Sequence, residues 1–144
     1  VVRLVGSEMC IRDRTWGAPT HGGNSYVNDG YPNYNNITNV SSSLSSGVVA
    51  VYSNLSCFAA VKTDGSVVTW GQGSFGGELG KVYDYVNSAY IELSDVSSDL
   101  TSGVSKIFST NNAFAALKND GSIVTWGLAE RGGDSSSVAN QLNP

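Results

Sequence analysis

The sequence predicts an all-β fold built as tandem antiparallel sheets, and three observations predict it. The segment Leu44 to Gly80 lies over Leu100 to Ser136 without a gap at a constant offset of 56 residues, with roughly half the positions identical, the signature of a repeat architecture. Within each copy, short runs rich in β-branched and aromatic residues are separated by turn residues, and no run is long enough for a helical stripe. Each copy also ends a short run in Thr-Trp-Gly, at Thr69-Trp70-Gly71 and Thr125-Trp126-Gly127, and a third stands at Thr15-Trp16-Gly17.

Taken in order, Val48 to Tyr52, Cys57 to Lys62 and Val67 to Trp70 read as three strands of one repeat. Between the second and third sits Thr63-Asp64-Gly65-Ser66, repeated as Asn119-Asp120-Gly121-Ser122. Asp-Gly between strands predicts a tight type I′ hairpin, whose central residues need positive φ. The paired alanines Ala59-Ala60 and Ala115-Ala116 predict a strand closely approached by another backbone, with Trp70 and Trp126 filling the space between successive sheets. Asp64, Gly65, Trp70 and Gly71, with Asp120, Gly121, Trp126, Gly127 and Trp16, are therefore read as the structural signature of the repeat.

The units divide the chain into a non-repeat extension (1–14), the end of one repeat with an insert (15–43), a complete repeat with an insert (44–99) and a truncated repeat (100–144). Each repeat opens on Leu-x-Ser-Gly-Val, at Leu44 and Leu100, and Leu142-Asn143-Pro144 resembles the start of another, so the chain reads as a piece of a longer array. Val1 to Arg14 shares nothing with the repeat and resembles translated sequencing-adapter sequence. Glu8, Arg12 and Asp13 interrupt any apolar run that could serve as a signal-peptide core.

Composition narrows the function. Eight Lys and Arg stand against 12 Asp and Glu, net charge −4, with no basic cluster to neutralise phosphates, which argues against nucleic acid as a partner. No apolar stretch reaches the eighteen or so residues that span a bilayer, so no membrane insertion is expected. The acidic, Ser-rich and cysteine-poor composition permits an extracellular or cell-surface setting without deciding the compartment.

The resources for catalysis are thin. His21 has no counterpart in the other units, and Cys57 occupies the slot of Ala113, which reads as packing. Asp95, Asp99 and Asp134 lie in turn-like stretches that match neither the EF-hand nor the nonapeptide calcium spacing. No enzyme, cofactor or metal is expected.

These residues resemble the repeat of the regulator-of-chromosome-condensation (RCC1-like) family. The family's Ala-Leu, two residues, Asp-Gly and a short strand ending in Trp-Gly is matched from Ala60-Val61 to Gly71 and from Ala116-Leu117 to Gly127. The resemblance implies consecutive four-stranded blades of a β-propeller, here an open arc, since closure takes about seven units in such folds. The Gly and His that often precede the Ala-Leu strand are replaced by Asn54 and Cys57, then by Thr110 and Ala113, marking a divergent branch. The nucleotide-exchange activity toward a small GTPase known in that family has no matching motif here.

Function is expected in the variable inserts after Trp-Gly. Six of the seven tyrosines lie there: Tyr26, Tyr31 and Tyr34 in the first, Tyr83, Tyr85 and Tyr90 in the second. Tyrosine with neighbouring Asn and Ser is the composition of binding loops, and loops on a rigid scaffold commonly carry recognition. A protein partner is the leading expectation and a glycan the alternative. The bland reading is an outer hairpin, Val82 to Val86 with Ala89 to Leu93 around Asn87-Ser88, whose tyrosines only pack.

Overall fold

The computed structural model describes residues 27–28, 40–79, 82–84, 89–91 and 96–142. The extension 1–14 and Trp16 lie outside them. Among the described residues the fold is all-β with little helix. A first sheet holds β1 (Val27–Asn28), β2 (Val48–Ser53), β3 (Cys57–Lys62) and β4 (Val67–Gln72) in the order β1-β4-β3-β2. β2, β3 and β4 are antiparallel, and the short β1 joins β4 in parallel at Gly71 and Gln72. The insert contributes a separate hairpin of β5 (Val82–Asp84) and β6 (Ala89–Ile91). β7 (Val104–Ser109), β8 (Ala113–Lys118) and β9 (Ile123–Gly127) form a second antiparallel sheet, and a single helical turn α1 (Ala139–Leu142) follows.

The repetition in sequence recurs bond by bond. The registers Phe58↔Trp70 and Phe114↔Trp126 are equivalent, and both sheets carry an irregularity at the start of the first strand, at Val48/Ala50 and at Val104/Lys106. Lys62 Nζ donates to the Ser43 carbonyl at 2.6 Å and Lys118 Nζ to that of Asp99 at 2.8 Å. Thr69 and Thr125 donate their hydroxyls to the carbonyls of Gly77 and Gly133. Such agreement requires the two units to be built on one plan.

The hairpin turn corrects one expectation. Gly65 N–H donates to the Lys62 carbonyl and Lys62 N–H to that of Ser66, both at 2.9 Å. Those two bonds enclose a loop of three residues, Thr63-Asp64-Gly65, rather than the two of a type I′ turn. The pattern is a type I turn followed by a glycine bulge, with Gly65 at φ +77° and Gly121 repeating it at +88°. Asp64 Oδ1 accepts from both the backbone N–H and the hydroxyl of Ser66, at 2.9 and 2.6 Å, and Asp120 does the same with Ser122. This local capture of the backbone explains Asp at the turn independently of any ligand.

The main core lies between the two sheets. Cys57, Ala59, Val61 and Val67 from the first meet Val104, Ile107, Phe114, Ala116 and Trp126 from the second, with Leu100 from the turn before β7. A smaller cluster of Val40, Leu44, Ala60 and Trp70 covers the opposite face of the first sheet. Ala59 and Ala60 thus point to opposite faces, and both are fully buried. That two-sided burial accounts for the unbroken apolar run in β3, where a half-exposed strand would alternate. Each tryptophan stacks on its cross-strand phenylalanine with ring centroids 5.3 Å apart.

Hydrogen bonds also tie sheet to sheet. Val67 N–H donates to the Leu100 carbonyl at 2.9 Å, Val104 N–H to that of Gly65 at 3.0 Å, and Leu55 N–H to that of Asn111 at 3.2 Å. Trp126 Nε1 donates to the Gly76 carbonyl at 3.2 Å. The tryptophan that closes one unit is therefore fastened to the turn that leaves the preceding one. The equivalent Trp70 Nε1 is buried with no acceptor among the described residues.

Candidate recognition surface

The insert starts where Trp-Gly ends. After β4 the chain makes a 3-10 turn at Gly73–Phe75 and leaves it through Gly76 at φ +106°, a left-handed conformation that glycine reaches without a Cβ penalty. Backbone amides of Gly76 and Gly77 bond back to the carbonyls of Gly73 and Gln72, fixing the direction of exit. The hairpin follows, with Val82↔Ile91, Tyr83↔Tyr90 and Asp84↔Ala89 in register, and β5 runs beside the 3-10 turn.

Of the six tyrosines singled out, Tyr83 and Tyr90 are brought together directly opposite each other on the two strands. Tyr85 and the predicted tip Asn87-Ser88 lie outside the described residues, as do Tyr26, Tyr31 and Tyr34. The hairpin foreseen as the bland reading is present over Val82–Asp84 and Ala89–Ile91, and the rest of its expected span, residues 85–88 and 92–93, lies outside the described residues. Opposed residues on an antiparallel pair are the nearest neighbours a hairpin offers, so among the described residues of the hairpin Tyr83 and Tyr90 form an aromatic pair by backbone position.

The signature residues are held by structural work. Trp70 and Trp126 are each 3% exposed, and the Asp64 and Asp120 carboxyls are held below the ordinary aspartate value chiefly by their Ser66 and Ser122 hydroxyls. Asp134 is lowered in the same sense, first by the Ser136 backbone N–H, which it accepts at 2.8 Å. All three carboxylates already have donors within their own turns. Among the described residues no group of three His, Cys, Asp or Glu side chains converges on a point.

Cys57 is 1% exposed, and its thiol donates to the Gln72 carbonyl at 2.9 Å. Burial pushes its pKa from 9.0 up to about 12, so the reactive thiolate is disfavoured near neutrality. The native thiol is expected to resist alkylation by iodoacetamide at pH 8 and to label rapidly in denaturant. Cys57→Ala, which installs the residue found at 113, is expected to leave stability at pH 7 little changed. Because the folded state holds this proton more tightly, the thiol's contribution to stability is complete below pH 9 and declines between pH 9 and 12. A denaturation series on wild type and Cys57→Ala across that range isolates it. His21 lies outside the described residues.

Two residues with a clear job were visible in sequence only as departures from a pattern. Asn54 Oδ1 accepts from the backbone N–H groups of Ser56 and Cys57, and its amide donates to the Phe75 carbonyl at 2.7 Å. Thr110 takes the same place in the second unit, accepting from Ala113 N–H at 3.1 Å and lying 3.2 Å from the Arg131 carbonyl. Each joins the turn between the first two strands of its unit to the 3-10 turn after Trp-Gly. The signal was their common position in the repeat and a shared capacity to bond backbone, since Asn and Thr differ in every other respect.

No protein-family model matches the chain, and no curated protein matches it.

Proposed function

We propose that this chain is a non-catalytic protein-interaction module, in which regulator-of-chromosome-condensation-like repeats serve as consecutive blades of an open propeller arc and the Tyr-bearing insert is the contact surface. The observation that carries this reading is the Tyr83↔Tyr90 pair on a hairpin outside the two main sheets. The repeated registers and the sheet-to-sheet hydrogen bonds support blades on a common plan. Aromatic anchors on such a scaffold supply contact area at low entropic cost and commonly dominate an interface.

Binding of the purified chain to a protein array and to a glycan array, in parallel, tests the reading. A protein ligand whose affinity falls about tenfold or more on Tyr83→Ala or Tyr90→Ala, a loss of at least ~1.4 kcal/mol, with an unchanged melting temperature, is the expected result. Glycan binding abolished by the same substitutions, with silence on the protein array, supports the adhesion reading in its place. Unfolding of both variants returns the tyrosines to the core.

A further inference from the structure

The interface between the two sheets has two different halves, because the units are related by translation along the sequence. One half belongs to the first unit and includes Tyr52, Ala59 and Val61; the other belongs to the second and includes Val104, Ile107 and Phe114. Since the units repeat, each half has a counterpart on an outer face of the pair.

Both counterparts are open. On the second unit, Phe108 is 50% exposed where its equivalent Tyr52 packs on the core, and Ala115 and Leu117 are half-buried where Ala59 and Val61 are buried. The backbone agrees: a Cβ built on Gly65 would fall 2.6 Å from Gly103 N, and one on Gly76 2.8 Å from the Phe114 ring, yet at Gly121 and Gly132 nothing lies within 4 Å. On the first unit, Val51 is 51% exposed where its equivalent Ile107 is 1%, and Val48 is half-buried where Val104 is 4% exposed. The registers Val51↔Ala60 and Ile107↔Ala116 place the two residues on the same face of their sheets. Ala60 and Trp70, farther in on that face, are already buried, so the open part is the outer strand β2.

We propose that these faces are complementary and that a second copy of this chain docks head to tail, setting β2 of one copy against β7 and β8 of the next. The contact repeats the one that β7 makes with β2 and β3 inside a single chain. Val51 takes the place of Ile107, Phe108 that of Tyr52, and Val48 N–H faces the Gly121 carbonyl as Val104 N–H faces that of Gly65. The occupant is argued from this continuity with an interface the chain already forms. A heterologous contact of this kind leaves a free face at each end until successive copies close a ring, so association rises with concentration.

Sedimentation velocity of the full chain, from low to high micromolar concentration, tests the proposal. Wild type is expected to show a weight-average sedimentation coefficient that rises with concentration above the monomer value, and Val51→Asp and Phe108→Asp are each expected to remain monomeric. An equimolar mixture of the two variants should form a one-to-one dimer that grows no further, because each keeps the face that the other has lost. A wild type that stays monomeric throughout, a single variant that associates like wild type, or a mixture that stays monomeric overturns the proposal. If either aspartate variant loses its β-sheet circular dichroism, Val51→Ser and Phe108→Ser take their places, and the wild-type series still decides.

Discussion

Replacing Trp126 by alanine is expected to remove about 3–5 kcal/mol of stability, the range for deleting a buried tryptophan side chain. The indole sits between the two sheets at 3% exposure and stacks on Phe114. Its N–H also caps the Gly76 carbonyl of the preceding unit. Truncation opens a cavity in the main core and leaves that carbonyl without its donor. Because domains of this size hold only about 5–15 kcal/mol in total, the variant is expected to show a large fall in urea midpoint by circular dichroism. Trp126→Phe keeps the ring stack and loses the hydrogen bond, and should fall between the two.

The second large effect is expected at Gly71, for a backbone reason. Its φ of +115° is one that side-chain-bearing residues rarely adopt, and a Cβ there would fall 2.4 Å from the Ser56 carbonyl oxygen and 2.7 Å from Cys57 Cα. Neither atom belongs to a flexible side chain, so relief requires β3 and β4 to separate where Cys57 pairs with Gly71. Left-handed strain and overpacking together place Gly71→Ala at roughly 2–5 kcal/mol. The urea midpoint is again the readout. Gly127, with a Cβ 2.7 Å from Ala113 Cα and the Asn112 carbonyl oxygen, should respond in the same direction.

The repeat made the strands legible: Cys57 to Lys62 is observed as read, and the first and third strands differ only in running on to Ser53 and Gln72. Gly71 looks like a strand breaker in sequence, yet its neighbour Gln72 continues the ladder by donating its N–H to the Ser56 carbonyl. The turn type was not legible from Asp-Gly, because the dipeptide does not reveal which flanking residues close the hairpin. Tyrosine enrichment marked the insert, but the pairing of Tyr83 with Tyr90 depends on a register that composition does not contain. The exposure of Val51 and Phe108 was invisible for a deeper reason. Val51 and Ile107 are equivalent in sequence, and what buries one and bares the other is the presence of a neighbouring unit.

Amide hydrogen exchange tests most directly whether the two units form one packed array. The N–H groups of Val67 and Val104 donate across the unit boundary, to Leu100 and Gly65, whereas the pairing of β3 with β4 through Ala60 and Val68 lies within one unit. If the units are packed as described, the Val67 and Val104 amides exchange as slowly as the amides of the β3–β4 ladder and lose their protection together with it as denaturant is added. Rapid exchange at Val67 and Val104 beside a protected ladder would mean that the sheets fold separately, and would contradict the shared core.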